Sequence, residues 1–436
     1  MQDLVSFLNS QLQTVFGLSE TLFPYVAAAM VLAIAFGFTV FAAVYAGVFI
    51  FFERRIAGRI MSRIGPNRVG PQGLLQFIAD AVKLIFKEDI IPTSADRPLF
   101  KLAPYLMFIG VVAGFAVLPF SHRVIAADLN VGLLYVLAIT SITVVGVLMS
   151  GWASNSKWAL FGGMRSAAQL VSYEIPSGLA LLPAVLLSGS LSTQEIIMAQ
   201  AGSPEHALTA GGWPWNWYIF HSPMMFVCFV IFFIAQLAEG ARLPFDLPEG
   251  ESELVSGYNT EYSGFRFGAY FTAEFANTWI AGALCVIVFF GGWQIPGAAV
   301  PSAEAIAASG ATWTWFGYSI EYAGWGAFWL EALSFLFFIV KMAGVVFIII
   351  QLRWTVPRVR IDQMMTICWK YLLPLTFACL FLILGWMIVL PWESTAALVV
   401  RIVMALAGAV LLALYAWRVR YNIHSAGDKV YPHWII

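Results

Sequence analysis

The chain has 436 residues, 61% of them hydrophobic and only 11% charged, with 23 Lys and Arg balanced by 24 Asp and Glu for a net charge of −1. Soluble domains carry about 25% charged residues, so a soluble globular protein is excluded, and a total so close to zero points by itself to no partner. Length alone suits two or three soluble domains; the recurrence of long apolar runs makes one polytopic membrane domain the expectation for 1–436 instead.

The N-terminal stretch Met1 to Pro24 has no Lys or Arg, so it lacks the basic start of a signal peptide. The first apolar run is then a retained span. Nine runs reach the roughly 20 residues that cross a bilayer as helix: 25–52, 102–120, 130–150, 166–188, 223–240, 268–290, 326–350, 366–390 and 396–417. The last two are joined by a tight hairpin around Pro391-Trp-Glu-Ser.

Basic residues set the orientation. The segment after the first span holds Arg54, Arg55, Arg59, Arg63, Arg68, Lys83, Lys87, Arg97 and Lys101. Lys157 and Arg165 follow the third span, Arg242 and Arg266 the fifth, and Arg353, Arg358 and Arg360 the seventh, with Lys370 near. Arg418, Arg420 and Lys429 lie in the tail. Together these are 20 of the 23 bases, and all fall on one side if the spans alternate. The N-terminus is expected on the periplasmic or intermembrane side, and the C-terminus on the cytoplasmic or matrix side. The long loops 189–222 and 291–325 hold no base. Their Trp213, Trp215, Trp217, Trp313 and Trp315 are expected in the interfacial aromatic belt.

After the turn-rich Gly65-Pro-Asn-Arg-Val-Gly-Pro, segment 73–87 places Gln76, Asp80, Lys83 and Lys87 on one helical face. Its other positions are mostly Leu, Ile, Val and Phe. It is too short to span. It suits a helix lying in the interface, one tucked into a partner, or a plain surface helix with snorkelling lysines.

Between the fifth and sixth spans lies the acidic loop 241–267. A quarter of all acids fall in or beside it: Glu239, Asp246, Glu249, Glu251, Glu253 and Glu261. Carboxylates also occur inside the runs, where a charge costs several kcal/mol and usually faces the bundle interior. Glu174 and Glu274 are mid-span and point to function. At Glu174, Pro176 predicts a local break that exposes backbone carbonyls. Glu53 and Glu331, near span ends, fit function and snorkelling equally. Lys341 suits a charge partner for one of these carboxylates.

Cys228, Cys285, Cys368 and Cys379 are widely spaced, with no Cys-x-x-Cys, so neither a zinc nor an iron–sulfur framework is supported. All five histidines fall in loops or the tail, which leaves a haem without axial ligands in the spans. No phosphate-binding glycine motif is present. The chain is expected to bind no flavin, haem, cluster or metal, and no nucleic acid.

Four segments, in order, resemble the H-subunit family of respiratory complex I, the proton-pumping NADH:quinone oxidoreductase whose mitochondrial counterpart is the first organelle-encoded NADH dehydrogenase subunit. They are Glu53-Arg-Arg through Gly65-Pro-Asn-Arg-Val-Gly-Pro to Lys87-Glu-Asp-Ile-Ile-Pro; Gly151-Trp-Ala-Ser-Asn-Ser-Lys to Tyr173-Glu; Glu239-Gly-Ala-Arg-Leu-Pro-Phe-Asp to Glu274; and Arg353-Trp-Thr-Val-Pro-Arg-Val-Arg-Ile-Asp-Gln. The resemblance implies an all-α polytopic membrane protein, an eight-helix family core plus an extra C-terminal helix, with an amphipathic interfacial helix after the first span. It implies most of a quinone-access tunnel and the start of a carboxylate path for protons, in an energy-transducing membrane: the bacterial plasma membrane or the mitochondrial inner membrane. Arg54, Arg63, Asp80, Arg242, Asp246, Glu249, Glu251 and Arg353 are then expected near the quinone cavity, and Glu174, Glu239, Glu253 and Glu274 on the proton path. No catalytic residue belongs to this chain alone. Quinone is the substrate and is shared with a 49-kDa-type neighbour. NADH and the clusters belong to peripheral-arm subunits, and small membrane-arm subunits and lipid complete the partners. The related subunit of a membrane-bound hydrogenase is the alternative. A free-standing secondary transporter fits less well, because it calls for inverted repeats and none is visible.

Overall fold

The computed structural model describes residues 23–202, 211–248, 250–299, 312–315, 318–321, 324–391 and 394–430. The principal helices are α1 (Phe23–Ile60), α2 (Gln76–Phe86), α3 (Arg97–Gly114), α4 (Gly132–Ala153), α5 (Lys157–Ser188), α6 (Thr193–Ala199), α7 (Pro223–Glu239), α8 (Gly264–Phe289), α9 (Gly324–Thr355), α10 (Ile361–Val389) and α11 (Thr395–Val430). Among the described residues eight helices are long and apolar enough to cross a membrane, and apolar α7 is slightly shorter. A helix lies over each of the nine apolar runs. Several extend beyond the run: α1 continues to Ile60 and α5 begins at Lys157. Apolar composition marks only the part of a helix suited to hydrocarbon, whereas backbone hydrogen bonding continues into polar turns.

Helix α8 is the centre of the bundle, with 83% of its most apolar window buried. Trp279 on α8 is ringed by Phe41, Tyr45, Phe115 and Phe120. Small residues bring the surrounding helices together, as is usual where no hydrophobic effect drives helix association. A Cβ on Gly146 of α4 would lie 3.0 Å from the Met107 amide nitrogen of α3. At Gly162 of α5 it would lie 2.7 Å from Gly257 Cα and 2.8 Å from Tyr258 N. The Gly257–Asn259 turn therefore rests on α5 backbone to backbone. Gly162→Ala is expected to lower stability by about 1–3 kcal/mol, as overpacking does, seen as a lower melting temperature. Gly344→Ala is the control, because nothing lies within 4 Å of a Cβ there.

Pro176 does not break α5, which runs through it. The carbonyl that Pro176 leaves without an amide partner, Ser172 O, accepts from the Cys368 thiol at 3.0 Å. Cys368 belongs to a π-helical stretch of α10, Ile367–Leu372.

Helix α2 turns Ile78, Val82, Ile85 and Phe86 outward. Its Asp80 pairs with Arg54 at 2.6 Å. Its exposed surface combines these apolar residues with Lys83 and Lys87, a mixture that suits an interfacial helix.

At the opposite end of the bundle the connections carry structure of their own. A small antiparallel sheet, β1 (Ala298–Ala299), β2 (Thr312–Trp315) and β3 (Tyr318–Glu321), pairs Ala298 with Trp315 and Thr312 with Glu321. It adds a minor β element to the otherwise helical architecture. Trp213 stacks on Trp215 at 4.7 Å, and Trp313 is buried. These indoles pack into the loops, a use that composition alone does not distinguish from a lipid-facing belt. Lys341 differs from expectation as well. Its Nζ donates to the carbonyls of Phe290, Gly292 and Gln294 at 2.9–3.0 Å, and it faces the Trp217 ring at 4.8 Å. The ammonium caps the C-terminal end of α8, where carbonyls lack helical partners and the helix dipole is negative.

Candidate functional site

The site lies where the ends of α1, α7 and α9 meet the first turns of α8. On α8, Phe271, Glu274, Phe275 and Thr278 fall at i, i+3, i+4 and i+7 and so share one face. The chain leaving α7 turns sharply at Ala241 (φ 48°) and drives Arg242 inward against that face.

Arg242 is 2% exposed. It lies between two buried carboxylates, 3.6 Å from Glu53 and 3.7 Å from Glu274. Its Nε donates to Thr278 Oγ1 at 3.3 Å, and its guanidinium covers the Phe275 ring at 4.2 Å. Arg353, from the end of α9, donates to the other oxygen of Glu53. The result is a charge-balanced row: Glu274, Arg242, Glu53, Arg353. A low-dielectric interior tolerates such charges only when they are paired. Arg242 is nearly equidistant from its two acids, and both gaps exceed hydrogen-bond length. A small displacement therefore favours one acid over the other.

Beside this row opens a cavity of about 400 Å³. Its walls come from α1 (Ile50, Glu53, Arg54, Ala57), the following loop (Arg63 to Pro66), α8 (Phe271, Phe275) and the end of α9 (Arg353, Trp354). Mixed aromatic and aliphatic walls with a few converging charges suit a flat apolar ligand carrying polar oxygens.

A second cavity, about 30 Å³, lies between Glu274 and Glu239 and is also lined by Thr143, Ser166, Tyr258 and Asn277. That is room for about one water with several polar partners. Glu239 accepts from Gln236 at 2.7 Å. It lies within electrostatic reach of Glu174, which accepts from Ser141. Three membrane-depth carboxylates thus follow one another from α8 through α7 to α5.

Of the sequence-derived residues, Arg54, Arg63 and Arg353 line the larger cavity, and Asp80 reaches it through Arg54. Arg242 forms the partition behind it. Asp246 is partly buried in the turn after Arg242 and lines neither cavity. Glu249 lies outside the described residues. Glu251 opens a single helical turn, of which only the backbone is described. Glu253 is exposed and pairs with Arg165 at 2.7 Å. The Arg165 guanidinium, with Arg358 and Arg360 near, holds its carboxyl below the usual range. It is not brought together with Glu174, Glu239 and Glu274.

Sequence reasoning left Glu53 undecided, yet it is the hub of the charge row. Its place at the end of a span fitted snorkelling as well as function. Phe271 and Phe275 were missed, although their spacing around Glu274 was visible. Among the described residues no three His, Cys, Asp or Glu side chains gather as a metal site would require.

Residues 31–384 match the family model described as NADH dehydrogenase. A protein of Anaeromyxobacter dehalogenans (strain 2CP-C), named as the H subunit of NADH-quinone oxidoreductase, is 49% identical over 90% of this chain and 91% of its own. Proteins with the same name from Chlorobium luteolum (44% identical, 81% of this chain, 88% of theirs) and Brevibacillus brevis (42%, 84% and 94%) are similar throughout.

Proposed function

The chain belongs to the NADH dehydrogenase family, and on that premise we propose that its larger cavity admits quinone and that its carboxylates begin a proton path. The chain is a multi-pass membrane subunit of an NADH–quinone oxidoreductase. The observation that carries the finer reading is the cavity of about 400 Å³ walled by the Glu53–Arg353 pair and by Phe271 and Phe275. The rings and Ile50 suit an isoprenoid quinone, and the charges suit its ring oxygens. Quinone takes two electrons and two protons to become quinol. The electrons come from partner subunits of the peripheral arm that dock on this end, the end of the basic loops. By the same Lys/Arg bias this end faces the cytoplasm or matrix.

Charge couples the two roles. A negative charge appearing in the cavity attracts Arg242 away from Glu274. A unit charge at about 4 Å and an effective dielectric of 20 is worth about 4 kcal/mol, which is about three powers of ten in a protonation constant. Glu274 then takes a proton, and the small cavity lets it pass towards Glu239 and Glu174. The hydrogenase-type alternative has less support, since these relatives carry quinone in their names.

Ala57→Phe tests the quinone reading by filling the cavity. Quinone-dependent NADH oxidation is expected to fall roughly tenfold or more. NADH oxidation by ferricyanide, which needs no quinone, is expected to remain. Normal quinone turnover by an assembled Ala57→Phe complex would refute the assignment.

A further inference from the structure

The backbone that carries Arg242 is held by a side chain that does not touch the guanidinium. Gln169 of α5 is fully buried. Its amide nitrogen donates to Ala238 O at 2.7 Å and to Phe245 O at 2.8 Å. These carbonyls flank the segment that holds Glu239 and Arg242. Both N–H bonds of one amide thus close the loop across its neck. The loop's backbone is also tied by Gly240 N to Gln236 O at 2.9 Å, Ala241 N to Ala238 O at 3.2 Å, Arg242 N to Leu237 O at 3.1 Å, Phe245 N to Arg242 O at 2.8 Å and Val359 N to Pro244 O at 3.0 Å. They involve backbone alone, and four of the five act within the loop and the last turn of α7. Arg242 itself reaches Thr278 of α8, whereas Gln169 is the side chain that fixes the loop's backbone to a transmembrane helix, and that helix also bears Glu174.

We propose that Gln169 is a positioning residue for the coupling reaction: its two N–H bonds hold the Ala238–Phe245 loop so that Arg242 stays between Glu53 and Glu274 and Glu239 stays beside the small cavity. This rests on the reading of the charge row given above. Gln169 touches neither quinone nor a relayed proton. A loop freed at its neck lets Arg242 settle on one acid, which slows coupling and leaves the quinone cavity intact.

The test uses the intact complex, with assembly counted by ferricyanide-linked NADH oxidation. Gln169→Met keeps the volume but removes both donors. Its kcat with quinone is expected to fall roughly tenfold, as loss of buried hydrogen bonds implies, with KM for quinone little changed. Gln169→Glu gives a readout that packing alone does not move. A protonated carboxyl keeps one donor for these carbonyls, and an ionised one keeps none and repels both. Relative to wild type at the same pH, Gln169→Glu is therefore expected to lose activity progressively as pH rises, while Gln169→Met stays uniformly low. Wild-type kcat in Gln169→Met, or identical and pH-independent losses in both variants, would overturn the proposal. Glu274→Gln, run alongside, separates the two readings. Impaired Glu274→Gln with normal Gln169→Met removes Gln169 alone, whereas normal Glu274→Gln removes the charge-row reading and this inference with it.

Discussion

Arg242→Met is expected to abolish quinone-dependent NADH oxidation and to reduce the amount of assembled complex. The substitution removes the cation 3.6 Å from Glu53 and 3.7 Å from Glu274 and leaves both carboxylates in a buried setting. Removing one partner of a buried pair costs about 3–5 kcal/mol, because the remaining charge keeps its desolvation penalty. That is a large part of the roughly 5–15 kcal/mol that holds a typical domain together. Glu53 retains Arg353, and Glu274 keeps a buried charge that Gln at the same position would remove. The double variant Arg242→Met, Glu274→Gln is therefore expected to recover assembly but not turnover. Native gel electrophoresis and quinone-linked NADH oxidation measure the two quantities separately. Normal assembly and turnover in the single variant would show that the row carries neither stability nor coupling.

Glu274→Gln has the second-largest effect and the opposite pattern. The side chain keeps its shape and loses its titration, so assembly is expected to survive. Proton transfer through a positioned group is worth about 10²–10⁴ in rate, and a loss of roughly 10²-fold in coupled quinone reduction and proton uptake is expected. Glu239→Gln, across the cavity of about 30 Å³, is expected to show the same loss. The pair together is expected to lose little more than either alone, because groups acting in one relay are not additive. Proton uptake by proteoliposomes driven with NADH and quinone is the measurement. Unchanged uptake in Glu274→Gln would remove the carboxylate path from this chain.

Much of the fold was legible because its signal is local. Nine apolar runs mark helices, since the bilayer demands internally satisfied backbone, and the bias of Arg and Lys groups the loops. The membrane-depth acids were visible too: Glu174, Glu239 and Glu274 stand out against apolar neighbours. What the sequence by itself determined is therefore the architecture and the inventory of charges. Only the tertiary structure decided which charges meet. Lys341 looked like a partner for a membrane carboxylate and instead caps three carbonyls at the end of α8. Glu253 looked like part of the path and lies outside with Arg165. Glu53 looked like an end-of-span acid and joins Arg242 to Arg353. In each case the outcome depends on the rotation and axial offset of one helix against another. Close approaches between separate elements, such as those at Gly146 and Gly162, are of the same kind, and periodicity along one helix carries no record of the face its neighbour presents.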